Sequence, residues 1–395
     1  MNYHIPSGFR FSALASGIKK SGEPDLALIV SDVPATCAAV FTQNKVVAPP
    51  VQISRKNLEA GQCQAVLVNS GNANACTGAE GFRIARETLK LTAQTLNVGD
   101  DLIAISSTGV IGVQLPLEPF RKGIPLLVSS LNPDQGEQVA EAMKTTDAFA
   151  KIASVQEPGA VSYSILGLAK GAGMIHPNMA TMLGFVLTDA RVERKLLDMA
   201  LRNGVEKSFN SITVDGDTST NDMVLVLANG CSNETMITVG TSEAETFCRH
   251  LDRVLLDLAK MIVRDGEGAT KLVEIKVTGA INQQEARKAA RSVATSSLVK
   301  TAFFGEDANW GRIIAAVGYS GADIDPDAID ISFDQIPVAK DGLSTGPENE
   351  AEATEVLKGD EFVVTINLNQ GSAEHSYFTS DLSYEYVKIN ADYRT

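Results

Sequence analysis

The sequence predicts a layered α/β or α+β fold. Short apolar strands are mixed with amphipathic helices, and several of the strands come in adjacent pairs, which is the pattern of sheets covered by helices. At 395 residues the chain has material for two or more domains. A content of 44% hydrophobic and 21% charged residues gives it an ordinary globular core.

Composition also removes function classes. A net charge of −14 argues against a nucleic-acid or anionic-membrane surface. No stretch approaches the ~20 apolar residues that span a bilayer. The amino terminus, M-N-Y-H-I-P-S-G-F-R, lacks the basic region and apolar core of a secretory signal. The five cysteines are scattered with no C-x-x-C, as expected of reduced thiols in a cytoplasm. The four histidines share no metal-ligand spacing, so no metal site is expected.

Taken in order, residues 26–31 and 64–69 read as short buried strands, the second running into the Gly/Asn/Ser loop S-G-N-A-N-A-C-T-G. Phe82, Ala85, Leu89, Ala93 and Leu96 then recur at helical spacing and stop near Gly99. Leu102 to Ser106 is a strand leading into S-T-G-V-I-G. A strand that ends in Thr108-Gly109 can present backbone N–H groups at a tight turn, although a plain turn has the same spelling. Residues 135–155 contain a helical segment carrying Lys144-Thr145-Thr146-Asp147, which suits a helix cap or a ligand contact.

The region from Lys170 to Leu183, K-G-A-G-M-I-H-P-N-M-A-T-M-L, is the centre of the chain. Gly171, Gly173 and Pro177 oppose regular structure, and Met182 to Val186 then reads as a buried strand. The hydroxyl residue Thr181 follows the small Ala180 where that strand begins. That arrangement suits a threonine that attacks the carbonyl of its own preceding peptide bond and becomes a new amino terminus, although an ordinary strand entry has the same spelling. Its α-amine, with a reference pKa of about 7.7–8.0, would then act as base for its own hydroxyl. A Ser-His-Asp arrangement has only His176 to draw on, and a histidine beside a proline loop is more often structural.

Further along, Glu193 to Phe209 reads as a helix and Met223 to Ala228 as a strand. The loop between them, V-D-G-D-T-S-T-N-D, lacks the glutamate that ends an EF-hand calcium loop. Ser242 with Glu245 spells a capping box ahead of Phe247, Leu251, Leu255, Leu258 and Ile262. No P-loop or dinucleotide fingerprint is present. Leu272 to Val277 reads as a strand, Glu285 to Ser296 as a helix, residues 320–352 as an exposed connection, and Phe362 to Leu368 and Tyr384 to Ile389 as strands.

Seven phrases in order resemble the glutamate N-acetyltransferase / ornithine acetyltransferase family of arginine biosynthesis. They are V-N-S-G-N-A-N-A-C-T-G, S-S-T-G-V-I-G, K-G-A-G-M-I-H-P-N-M-A-T-M-L, V-D-G-D-T-S-T-N-D, D-G-E-G-A-T-K, G-E-D-A-N-W-G-R-I and N-A-D-Y-R-T. The resemblance spans nearly the whole chain. It implies an α/β/β/α sandwich resembling the amino-terminal-nucleophile hydrolases (residues 1–280), followed by a smaller carboxy-terminal α+β domain (281–395).

It further implies self-cleavage between Ala180 and Thr181 into an α chain (1–180) and a β chain (181–395), with Thr181 as nucleophile. Thr108 and Gly109 match the oxyanion-hole pair. Lys170, Thr181, Glu267, Asn390 and Thr395 match substrate-binding positions, and a further binding threonine falls at Thr145 or Thr146. The expected reaction moves an acetyl group from N2-acetyl-L-ornithine to L-glutamate, in an α2β2 assembly, with no metal or bound cofactor. Some members of the family also accept acetyl-CoA as donor. The rival readings are a related amidase or aminopeptidase, a secondary-metabolite acetyltransferase and an uncleaved binding protein.

Overall fold

A computed structural model of the protein describes residues 3–159, 161–176, 182–232 and 234–392. Its first half contains strands β1 (Phe9–Leu14), β2 (Leu26–Phe41), β3 (Gln62–Asn69), β4 (Ile103–Ser107), β5 (Lys151–Glu157), β6 (Tyr163–Lys170) and β7 (Leu183–Thr188). Helices α1 (Pro49–Asn57), α2 (Gly78–Leu96), α3 (Glu118–Ser129) and α4 (Gly136–Met143) connect them. Then come β8 (Arg191–Val192), α5 (Arg194–Lys207), β9 (Ile212–Thr213), β10 (Met223–Ala228), β11 (Met236–Ile237) and α6 (Ser242–Arg264). The last third holds β12 (Leu272–Ala280), α7 (Gln283–Thr295), α8 (Ser297–Phe304), α9 (Trp310–Gly318), β13 (Asp330–Phe333) and β14 (Ile336–Lys340). It closes with β15 (Leu343–Ser344), α10 (Pro347–Val356), β16 (Glu361–Asn367), β17 (Ala373–Ser380) and α11 (Tyr384–Asp392). No described helix is long and apolar enough to cross a membrane.

The 16-residue strand β2 builds the sandwich. Its pairing with β3 slips between Val30 and Ala35, and Pro34, which has no N–H for a ladder, sits inside the slip. The half before this bulge pairs with β1 and β3, and the half after it pairs with β10. The strand order is β4-β3-β2-β10-β7-β6-β5, with β1 attached to β2. Side-chain alternation then decides the layers. Ile29, Val66 and Val68 share one core with Phe185, Leu187, Leu225 and Leu227, so the two halves of the sheet face each other. The opposite faces are covered by helices. Leu28, Val30 and Leu67 pack on α2 and α3, while Val186, Val224 and Val226 pack on α5 and α6. The order of layers is therefore α/β/β/α.

The second sheet runs β15-β14-β13-β16-β12-β17-β9 and shares one core with α7, α8, α9 and α10. Its edge strand β9 comes from the chain between α5 and β10, which ties this sheet to the sandwich.

Several local expectations need correction. Residues 320–352 are not a bare connection: β13, β14, β15 and the start of α10 lie there. Their Asp and Gly residues form the turns, with Asp334, Asp341 and Gly342 at positive φ, while Ile331, Phe333, Val338 and Ala339 are buried. Tyr384 to Ile389 is helical, not extended. The Ser383 hydroxyl accepts the Tyr386 N–H at 3.4 Å, as an N-cap does, while Tyr384 and Val387 stay exposed. The cap of α6 is Thr241, whose Oγ1 accepts the Ala244 N–H at 3.2 Å, rather than the Ser242–Glu245 box. Within 135–155 the helix ends at Met143, and β5 begins at Lys151.

Candidate active site

Strand β4 delivers the Thr108-Gly109 turn. Gly109 has φ +128°, and a Cβ there would lie 2.4 Å from the Gly71 carbonyl carbon, so only glycine fits where the two backbones touch. Asn221 pins this corner by donating to the carbonyls of Ala73 (2.6 Å) and Ser107 (2.9 Å). The Thr108 N–H is already spent on the Asn69 carbonyl at 3.0 Å. The turn is thus no simple pair of free N–H groups. Among the described residues, the donors left to these two are the Thr108 hydroxyl and the Gly109 N–H.

Strand β6 ends on Lys170, whose Nζ donates to Thr145 Oγ1 at 2.9 Å and lies 3.8 Å from Asp147 Oδ2. Asp147 is buried and accepts from the Thr145 N–H (2.9 Å), the Gly171 N–H (2.6 Å) and Lys151 Nζ (2.8 Å). Lys151 has no exposed surface and also donates to Asp265 Oδ2 at 2.5 Å. Burial works against the charge on Asp147, yet the cations of Lys170 and Lys151 outweigh it and hold the carboxyl well below the usual range. Burial pushes the Asp265 carboxyl up, with Lys151 opposing.

Glu267 comes from the turn after α6, where its N–H donates to the Ala172 carbonyl at 2.9 Å. Asn390 on α11 donates to Glu267 Oε2 at 2.8 Å. Gly173 makes room for this acid, because a Cβ on it would lie 2.4 Å from the Glu267 carboxylate. Asp215 stands beside it, accepting the N–H groups of Met174 (2.6 Å) and Ile175 (2.8 Å). Burial pushes this acid up as well. It also pushes up the Tyr386 phenol, helped by the negative charge of Asp215.

These groups meet at one cavity of about 220 Å³, lined by Thr108, Gly109, Thr145, Thr146, Lys170, Glu267 and Asn390, with Asp215, Tyr386, Met182 and Leu183. A larger cleft of about 1050 Å³ beside β2 and α5 holds none of the residues singled out in the sequence. Ala180, Thr181 and Thr395 lie outside the described residues. The chain just after Thr181 is fixed: the Met223 N–H donates to the Met182 carbonyl at 3.2 Å.

His176 belongs to the framework. Its Nε2 faces the Arg291 guanidinium at 2.9 Å and its Nδ1 faces Thr213 Oγ1 at 3.2 Å. Burial, then the Arg291 charge, pulls the imidazole down to about 4, so near neutrality it is uncharged, with the proton on Nδ1 and Nε2 as acceptor. The acidic loop 214–222 likewise has a structural use for its first acid, since Asp215 is taken up by backbone N–H groups.

Four features of the site had no clear spelling in the sequence: the Asp147–Lys151–Asp265 cluster, Asp215, Asn221 and Tyr386. The usable signals are Asp147, which stands beside two threonines as a cap or ligand contact would, and Lys151, a charge in the otherwise apolar strand start K-I-A-S-V.

A model of the ArgJ family matches residues 10–395. The chain is 61% identical over 389 residues to the arginine biosynthesis bifunctional protein ArgJ of Syntrophotalea carbinolica, covering 98% of this chain and 99% of that protein. It is 54% identical to the protein of the same name from Geobacter sulfurreducens, with the same coverage. A crystal structure of the arginine biosynthesis bifunctional protein from Bacillus halodurans is 47% identical. It superposes with a TM-score of 0.52 over 54% of this chain and 100% of that chain.

Proposed function

We propose, from the premise that this chain belongs to the ArgJ family, that it cleaves itself at Ala180–Thr181 and then transfers an acetyl group from N2-acetyl-L-ornithine to L-glutamate. The observation that carries this reading is the single cavity. An oxyanion pair (Thr108, Gly109), a cation (Lys170) and an acid–amide pair (Glu267, Asn390) line it together with Met182 and Leu183, the residues that follow the cleavage point. The length of the Bacillus halodurans chain agrees with this reading. All of it is matched by little more than half of this chain, which is the share that the segment following Ala180 makes up.

The chemistry proceeds in two halves. The Thr181 hydroxyl attacks the acetyl carbonyl of acetylornithine, its own α-amine taking the proton. The tetrahedral oxyanion is met by the Thr108 hydroxyl and the Gly109 N–H. The carbon–nitrogen bond breaks, the proton passes to the leaving amine, and ornithine departs from an acetyl-threonine ester. The glutamate amine then attacks that ester and restores the free hydroxyl, giving N-acetyl-L-glutamate.

Both amino acids carry an α-carboxylate, which suits the Lys170 ammonium as a charge-assisted partner. Glu267, Asp215 and Asp217 make the rest of the lining acidic, which suits the side-chain ammonium of ornithine. Thr145 or Thr146, with Asn390 and Thr395, completes the polar contacts. The assembly is α2β2 and cytoplasmic, and acetyl-CoA is a second acetyl donor.

Intact-mass spectrometry followed by assay tests the reading. The expected masses are those of 1–180 and 181–395, and Thr181→Ala should abolish both cleavage and transfer. Incubation with acetylornithine and glutamate should yield acetylglutamate. Acetate in its place would make the protein a hydrolase, and an undivided chain with full turnover would end the threonine mechanism. Acetyl-CoA with glutamate alone tests the second donor.

A further inference from the structure

Asp215 is built into the cavity wall in a way that binding alone does not explain. Its two carboxylate oxygens are turned toward the backbone just upstream of the cleavage point, Oδ2 to the Met174 N–H at 2.6 Å and Oδ1 to the Ile175 N–H at 2.8 Å. Met174 has φ +58°, a left-handed conformation that a side chain other than glycine adopts only when its surroundings enforce it. The neighbours of Asp215 complete the hold. The Val214 N–H donates to the Ile175 carbonyl at 2.7 Å, and the Thr213 hydroxyl donates to the same oxygen at 3.1 Å. The chain from 213 to 215 therefore fixes residues 174 and 175 at both N–H groups and at one carbonyl. On the far side of the cleavage point, the Met223 N–H fixes the Met182 carbonyl.

We propose that Asp215 is a positioning residue for self-cleavage: it holds the Met174–Ile175 backbone in its left-handed turn so that the segment between Ile175 and Met182 starts from a fixed point. This rests on the cleavage reading given above. Attack of a hydroxyl on the preceding carbonyl is an intramolecular reaction, whose rate depends on how well the reacting atoms are held. The carboxylate acts through the backbone and does not touch the atoms that react. The N–H groups of Met174 and Ile175 require two acceptor oxygens side by side, and Oδ1 also accepts the Asp217 N–H at 3.1 Å. An amide of the same shape offers one acceptor and puts an NH₂ donor against the other N–H.

The experiment follows the conversion of full-length protein to fragments by intact mass after a short expression pulse, in wild type, Asp215→Asn and Thr213→Val. Circular dichroism and thermal melting of each establish that it is folded. Asp215→Asn is expected to slow cleavage at least tenfold in folded protein. Thr213→Val keeps Asp215 and removes the hydroxyl's bond to Ile175 together with its contact to His176 Nδ1, and should slow cleavage about threefold. Folded Asp215→Asn that cleaves at the wild-type rate overturns the proposal while leaving the cleavage reading intact. If Asp215→Asn does not fold, an unaltered rate in Thr213→Val overturns it instead. A wild type that never divides at Ala180–Thr181 overturns the cleavage reading, and this proposal with it.

Discussion

The two most deeply buried lysines of this molecule lie one in each sheet system, and their surroundings differ in kind. Lys151 opens β5 of the sandwich and sits between two carboxylates, with Nζ 2.8 Å from Asp147 and 2.5 Å from Asp265. Lys300, on α8 of the carboxy-terminal layer, donates to Thr379 Oγ1 at 2.9 Å, to Ser380 Oγ at 3.1 Å and to the Ser380 carbonyl, all neutral oxygens. The nearby Asp381 spends its carboxylate elsewhere, on the Thr270 N–H and hydroxyl and the Lys271 N–H. Burial accordingly pushes the Lys300 ammonium down to about 7, against the opposing pull of Asp381 and Asp215. The difference teaches how the cavity obtains its charge. The carboxylates around Lys151 occupy that cation fully, and among the described residues Lys170, which has one hydroxyl partner at 2.9 Å and Asp147 only at 3.8 Å, is the lining cation left with donor capacity for a ligand.

The largest expected effect comes from removing the paired lysine. Lys151→Met would leave Asp147 and Asp265 buried without their shared counter-charge, and breaking such a pair costs about 3–5 kcal/mol. Lys300→Met removes bonds to neutral oxygens and should cost roughly 1–3 kcal/mol. Denaturant unfolding of both variants at pH 7 measures the contrast, and equal losses would break it. The next effect is on binding. Lys170→Ala should raise KM for both acetylornithine and glutamate by about 10- to 100-fold, as loss of one charge-assisted bond of about 1.5–3 kcal/mol implies. Lys151 cannot substitute, because its donors face Asp147, Asp265 and the Phe149 carbonyl. An unchanged KM for either substrate would show that the cavity cation is not reading the carboxylate.

The contrast between the two lysines also marks where sequence reading stops. Strands such as Met223–Ala228 and helices such as α6 announce themselves through period, and their bounds hold to within a residue or so. Thr108, Gly109, Lys170, Glu267 and Asn390 were named from motifs, and the fold brings all five to one cavity. Partner identity was not legible. Asp147 and Asp265 are 118 positions apart along the chain, counted by their numbers, and meet only because β5 and the end of α6 pack together. The Thr108 N–H has the spelling of a free turn donor, yet it is bonded to the Asn69 carbonyl at 3.0 Å. In α11, Tyr384 and Val387 look like strand residues, whereas in the fold both are exposed, Tyr384 meets Phe304 edge-on and Asn390 reaches Glu267. Local pattern carries period and turn chemistry, but it does not carry which distant charge closes a pair.

The smallest and most specific effect lies in pH. In the unfolded chain a lysine titrates near 10.4, whereas in the fold Lys300 titrates at about 7. Below pH 7 both states carry the proton, so the burial penalty is present in full and does not vary. Between 7 and the unfolded value the unfolded chain binds more protons than the folded one, so stability rises with pH, by up to ~1.4 kcal/mol per pH unit from this residue. Subtracting Lys300→Met isolates that contribution from every other titrating group. The stability of wild type minus that of the variant should be level from pH 5.5 to 6.5 and then climb by about 2 kcal/mol toward pH 9. Chemical unfolding midpoints at four pH values suffice to see it. A difference that stays level throughout would mean that Lys300 keeps its proton in the fold, as a carboxylate-paired lysine does, and the two lysines would then differ in partners but not in charge.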